Sequence, residues 1–283
     1  MLVHVCRLLI ILMLLPTKQV VAQGDVQLIA TNEVFRLSPQ LKVLRETDNQ
    51  LDLFDVKQRQ AEFVWHLSDN SNYGISNKGV WLHTTISNVT ENKQWVIDVA
   101  NAQLEKVDFY VLLDDEVLAH ASQGRSRSSP TFRLPTLKLD LPYAQTIDLY
   151  VRIQNQRSSL IAPIDIQTST HHQRIIFYDN LIWGLFYGGL IMLALYNLIL
   201  YMEVRESSLL AYIGYICSVL IWQFVWGGHL HLLLPNAITT WIGSHPDLLY
   251  ILIGVISSLF TISFLEVSKL TSNSLLYIKT FLK

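Results

Sequence analysis

The chain has 283 residues, 51% of them hydrophobic and only 16% charged, with a formal net charge of −2 and a mean hydropathy of +0.30. That balance gives a nucleic-acid partner no electrostatic footing, and the hydropathy is high for one soluble domain. The two cysteines, Cys6 and Cys217, lie in separate apolar segments. The region between them therefore cannot depend on an internal disulfide, and no Cys/His spacing points to zinc.

The N-terminus reads as an export signal, residues 1–22. Arg7 supplies positive charge, residues 8–15 form a short apolar core, and Val20-Val21-Ala22 offers a cleavage site after Ala22. The core is too short to cross ~30 Å of hydrocarbon, so removal is expected rather than anchoring.

Residues 23–166 are strand-like. Val80-Trp81-Leu82-His83-Thr84-Thr85-Ile86, residues 95–99, 107–113 and 147–153 are rich in β-branched and aromatic side chains, and the last two alternate apolar with polar. Turn chemistry separates them at 69–74, 88–93 and 124–130. Short strands at this spacing predict an all-β jelly-roll sandwich, with helix only in brief connections such as 56–62.

After Asp179 the pattern changes. Residues 181–202 carry no formal charge and would be ~33 Å long as a helix, enough to cross a bilayer. Further spans are predicted at 209–226 and 248–265, with 167–180 as a juxtamembrane linker. Arg205 lies in the first loop and Lys269 after the third span, while the loop 227–247 has neither Lys nor Arg. Positive charge thus falls where the positive-inside rule places the cytoplasm, and 23–179 falls outside it. Three spans with no cytoplasmic domain after them read as the opening of a longer protein, an incomplete helical region over 181–283.

No P-loop, Gly-x-Ser-x-Gly elbow or His-Glu-x-x-His is present, so no catalytic residues, cofactor or metal are expected and the chain reads as a non-enzyme. The adjacent His171 and His172 would point apart in regular structure, and Asn88-Val89-Thr90 is a frequent chance triplet. In the first span Gly184 and Gly188 share a helix face and Asn197 lies further along. They are read as a helix-packing seam, because small residues allow close approach and a buried amide needs a partner. The spans hold no Asp, Glu, Lys or Arg, which disfavours a transporter or membrane enzyme.

Gly184-Leu185-Phe186-Tyr187-Gly188-Gly189-Leu190, Leu195-Tyr196-Asn197-Leu198, Ser207-Ser208-Leu209-Leu210-Ala211-Tyr212 and the run from Gly227-Gly228-His229 to Leu234-Pro235 occur in order. Together they resemble the opening of the bacterial seven-transmembrane receptors with diverse intracellular signalling modules. Leu234 stands where that family usually has Trp. Trp81-Leu82-His83, Asn88, Trp95-Val96-Ile97, Val107-Asp108-Phe109-Tyr110, Pro135 and Tyr150-Val151-Arg152 resemble its type 2 extracellular domain, a jelly roll akin to carbohydrate-binding modules. The resemblance implies a periplasmic sensor in the bacterial inner membrane, relaying to a histidine kinase, diguanylate cyclase or related output. The alternative is a membrane-tethered carbohydrate-binding module without signalling. Expected partners are a small-molecule or carbohydrate ligand, membrane lipid and a second copy in a homodimer, with no nucleic acid. Trp81 and His83, alternating on one strand face, are candidate ligand contacts, as are Arg133 and Arg152 for an anionic group.

Overall fold

The computed structural model describes residues 25–66, 71–126, 132–156, 159–234 and 236–264; side chains 231, 236, 243 and 246 are not described. The segment read from sequence as a signal peptide, the end of the predicted third span and Lys269 fall outside these residues.

Two sheets face each other. The larger runs β4 (Val64–Trp65), β3 (Lys42–Arg45), β5 (Val80–Asn88), β10 (Thr146–Gln154), β7 (Lys106–Leu113), β8 (Glu116–Gln123). The short β1 (Val26–Leu28) pairs in parallel with the far half of β5, beyond the stretch that β3 occupies. The smaller sheet runs β2 (Val34–Arg36), β11 (Ile164–Thr168), β6 (Gln94–Val99), β9 (Thr136–Asp140), all antiparallel. This is the predicted β-sandwich.

Period-2 alternation decides which side chains enter it. Leu82 and Ile86 of β5, Phe109 and Val111 of β7, and Leu149 and Val151 of β10 point inward. There they meet Trp95 and Ile97 of β6 and Ile164 and Ile166 of β11. The strand β8 carries few buried residues and ends the sheet as an edge. A two-residue turn joins it to β7, with Asp114 at φ 50° and Asp115 at φ 71°. Both are left-handed, as the tight hairpin turn that matches strand twist requires.

The opposite face of the larger sheet is covered as well. Asp52 caps α1 (Leu53–Gln58) by accepting from the Asp55 N–H at 2.8 Å. The helix drops Val56 onto Trp81, Leu44, Leu112 and Tyr150, a second apolar cluster outside the sandwich.

From β11 the chain passes straight into α2 (Ser169–Val204), capped by the Thr168 hydroxyl. The stretch 167–180, read from sequence as a linker, is thus the end of a strand followed by three turns of continuous helix. At 1.5 Å per residue α2 is about 54 Å long. Its turnaround at Arg205 (φ 56°) leads to α3 (Ser207–Trp226), then the short α4 (Leu230–Leu233) and α5 (Asn236–Ser244), and finally α6 (Pro246–Phe264). The helices α2, α3 and α6 are long and apolar enough to cross a membrane. Leu181, Ile182, Leu185, Met192 and Ile199 of α2 are all exposed, an apolar surface that water would not cover favourably.

Candidate functional site

Three of the four candidate contacts meet on the outer face of the larger sheet, and the fourth does not. Cross-strand registry aligns Trp65, Lys42, His83, Tyr150, Tyr110 and His120 in one row across six strands. His83 stacks on Tyr150 with centroids 4.4 Å apart, and Tyr110 on His120 at 4.5 Å. Lys42 Nζ lies 4.9 Å above the Trp65 ring, within cation–π range. His120 is exposed, whereas Tyr150 is buried and Tyr110 half-buried.

The neighbouring row is Trp81, Arg152, Asp108 and Ser122. Trp81 is 1% exposed and stacks on Tyr110, so its ring is a packing element beneath α1. Its indole N–H donates to Glu46 Oε1 at 2.8 Å. Arg152 takes the same carboxylate in a two-pronged grip, Nε at 2.5 Å and Nη2 at 3.0 Å, and also donates to the Asn49 carbonyl at 3.3 Å. The Glu46 carboxylate beside it raises the Arg152 pKa. Gly79 makes room for Glu46: a Cβ there would lie 2.5 Å from its Oε1. His83 Nε2 sits 3.0 Å from Asp148 Oδ1, which also accepts from Thr85. These bonds, His83's first, hold the Asp148 carboxyl below its ordinary pKa. His83, Trp81 and Arg152 therefore spend their polar groups on Asp148 and Glu46. The open groups of this face are the ends of the aromatic row.

Arg133 lies elsewhere, where the sandwich meets the helices. Its Nε and Nη2 reach Asp179 Oδ2 of α2 at 2.9 and 2.8 Å, and Nη1 donates to the Gly227 carbonyl at 3.1 Å. Gln103 donates to the Trp226 carbonyl. The loop after α3 is seated on the sandwich by Gly228 at φ +78°, where a Cβ would come within 2.8 Å of Ala102 Cβ. His229, next in the chain, is buried against Trp183 and Phe224, with Nδ1 3.0 Å from the Tyr187 hydroxyl. Burial, reinforced by the charge of Arg133, lowers its pKa to about 4, so it is neutral at pH 7. The far end of α3 thus returns to the side where the sandwich sits. Sequence reading missed this use of Tyr187 and His229; the only signal was the clustering of aromatic residues in 183–187 and 222–229.

The seam predicted at Gly184 and Gly188 is not where α2 meets α3. A Cβ at either glycine would have nothing within 4 Å. Instead Tyr187 stacks on Phe224 at 4.1 Å. Asn197 is buried and donates to the Leu193 carbonyl of its own helix at 2.8 Å. Among the described residues no group of three His, Cys, Asp or Glu is placed to hold a metal.

A β-sandwich continued by helices long and apolar enough to cross a membrane defines a membrane protein with a folded domain outside the bilayer. Residues 38–168 match the family model described as 7TMR-DISM extracellular 2, and residues 179–282 the model described as 7TM diverse intracellular signalling. The chain belongs to the seven-transmembrane receptors with diverse intracellular signalling modules. No curated protein matches it.

Solved structures with some likeness include β-glucosidase from Kluyveromyces marxianus in complex with glucose. It is 12% identical at a TM-score of 0.29, over 50% of this chain and 18% of that one. TmCBM61 in complex with beta-1,4-galactotriose is 10% identical at a TM-score of 0.26, over 48% of this chain and 87% of that one. A family 35 carbohydrate binding module from Clostridium thermocellum is 6% identical at 0.25, over 49% and 100%. This chain spans less than a fifth of the glucosidase, and similarity at this level carries no functional argument.

Proposed function

We propose that the chain is the sensing part of a signal-transducing receptor of the bacterial inner membrane. In this reading the sandwich lies in the periplasm and binds a small molecule or carbohydrate-like ligand. The helices relay its state to a cytoplasmic output such as a histidine kinase or diguanylate cyclase. The observation that carries this reading is the rigid junction. A strand of the sandwich continues into α2 without a linker, and Arg133 clamps the sandwich to Asp179 and Gly227 at once. A plain tether needs neither feature.

Because α2 is continuous and the loop after α3 is pinned to loops of the same sandwich at Ala102, Gln103 and Arg133, a change in the sandwich alters the packing of α2 against α3. A ligand that prefers one sandwich conformation then shifts the population of helix arrangements by its difference in affinity. For the ligand itself, the exposed His120 and the Lys42–Trp65 pair, at the two ends of the aromatic row, are the groups of the outer face open to stack on a sugar ring.

The test is a short flexible Gly/Ser insertion between Ile175 and Ile176, in a receptor that carries this chain ahead of a cytoplasmic output. The insertion breaks the helix below the sandwich and above the apolar span. Loss of the response with retained folding is expected; an undiminished response would refute the relay.

A further inference from the structure

One end of the sandwich is turned toward the helices. The strand pairs Val80–Ile153, Lys106–Gln154 and Val99–Ile164 close that end, and the loops 74–79, 100–105 and 155–163 leave from it. In the middle loop Gln103 donates to the carbonyl of Trp226, the last residue of α3, and Ala102 abuts Gly228. Beside them Asn101 donates to the Ile161 carbonyl at 2.7 Å. Leu160 accepts from the Tyr73 N–H and donates to the Gly74 carbonyl, both at 2.8 Å. This short chain of contacts sets Ile161, and then Ile75, beside the end of a membrane-length helix. Ile75 is 86% exposed and Ile161 43%, two neighbouring apolar side chains whose contact with water is unfavourable.

A different element at the same level points the same way. The segment 227–245 joins α3 to α6, two membrane-length helices, so it lies on the side of the membrane where the sandwich sits. Its helix α5 is turned inside out. Thr239 is 1% exposed, whereas Ile238 and Trp241 are 47% and 58% exposed. A helix bathed in water shows the reverse order, polar side chains outward. Leu232 and Leu233 of α4 are exposed as well, and this apolar surface continues into the exposed Leu248 and Ile251 of α6. A short helix with outward apolar groups and a tryptophan, lying between two spans, fits the headgroup layer.

We propose that this end of the sandwich rests on the near leaflet of the bilayer, with Ile75 and Ile161 entering the headgroup layer in which α4 and α5 lie. The occupant is the same lipid that surrounds the spans, because the apolar surface runs on from them without a break. The exposed Arg45, at the same end of β3, offers a cation to headgroup phosphates. Lipid is then a partner of the sandwich itself and fixes its tilt over the helices. The inference needs α2, α3 and α6 to cross a membrane; it does not need them to relay a signal.

The test is spin-label depth measurement on the full chain in vesicles of phosphatidylethanolamine and phosphatidylglycerol, with Cys6 and Cys217 replaced by serine. Labels go on Ile75→Cys, Ile161→Cys and Trp241→Cys, all exposed positions that tolerate a substituent. Val89→Cys, equally apolar and exposed but just past the opposite end of β5, is the control. Collisions with oxygen, relative to those with a water-soluble nickel complex, are expected to be severalfold higher at 75, 161 and 241 than at 89. A label on Asn77→Cys should lose that excess when Ile75→Ser is added. Values at 75 and 161 equal to those at 89 would overturn the contact, as would an Asn77 label indifferent to Ile75→Ser. Shielding of 75, 161 or 241 from both collision partners would show protein, not lipid, covering the surface and would overturn it too. This measurement reads depth alone, whereas the helix insertion reads relay, so failure of one is distinguishable from failure of the other.

Discussion

Arg133 and Asp179 meet across the boundary between the sandwich and the membrane-length helix, with two guanidinium nitrogens on one carboxylate oxygen at 2.9 and 2.8 Å. The two residues are 46 apart in sequence and belong to parts of opposite character. Arg133 also lies 5.9 Å from the Trp183 ring, so one side chain touches the sandwich, α2 and the loop after α3.

The pair is about a quarter exposed, which screens it and limits its worth. A double-mutant cycle with Arg133→Gln and Asp179→Asn should give a coupling energy of about 0.5–1.5 kcal/mol in thermal unfolding of the detergent-solubilised chain. A coupling near zero would mean the two groups do not act as a clamp.

Gly228→Ala should loosen the loop after α3. The left-handed backbone alone costs roughly 1–2 kcal/mol for a residue with a Cβ, and the close approach to Ala102 and to the Arg133 carbonyl adds to it. Faster hydrogen exchange over 227–234, with β5 and β10 unchanged, is the expected signature.

On the outer sheet face, Glu46→Ala should be among the most damaging substitutions in the sandwich. It strips Arg152 of its principal partner and leaves the buried Trp81 indole N–H unmatched, where breaking a buried pair costs about 3–5 kcal/mol. Replacing Trp81 by Phe should cost clearly less, since it spares the Glu46–Arg152 bond. Urea titration of the full chain separates the two.

Asp98 gives a pH dependence of defined sign. Burial raises its pKa to about 6, with the nearby Asp165 carboxylate adding to the shift and the Gln167 bond opposing it. The native state therefore holds a proton more firmly than the unfolded chain. The stability this brings is complete below pH ~4 and is lost as pH rises to ~6, an effect of roughly 1.4 kcal/mol per pKa unit. Asp98→Asn, which can still accept from Gln167, should flatten the slope of melting temperature against pH between 4 and 6. Burial also raises the pKa of Asp165, so part of the slope should survive.

In the helices, Tyr187→Phe should lower thermal stability by about 1 kcal/mol, through the lost bond to the buried His229. Gly184→Ala should be neutral or stabilising, because a methyl group there meets open space and Ala favours helix over Gly. Circular dichroism melts compare them directly.

The sandwich and the apolar helices were legible in the residue order because both rest on local periodicity. Alternation in 107–113 and 147–153 marks half-buried strands, and uncharged runs of about twenty residues mark helices that water cannot solvate. The same reasoning left the α2–α3 contact unread. Gly184 and Gly188 carry the small-residue spacing, yet Tyr187 makes the contact with α3, because spacing defines a face and not which neighbour meets it. Edge strand β8 went unread because its exposed residues leave no apolar alternation.

What sequence alone determined, then, is which segments are strand, which are apolar helix, and that Trp81 and His83 share a sheet face. Only the tertiary structure decided that this face is shielded by α1, that Glu46 draws Trp81 and Arg152 together, and that Arg133 lies apart from it, paired with Asp179. Registry between distant strands and the docking of a loop onto them depend on three-dimensional proximity, which a one-dimensional pattern of hydrophobicity does not encode.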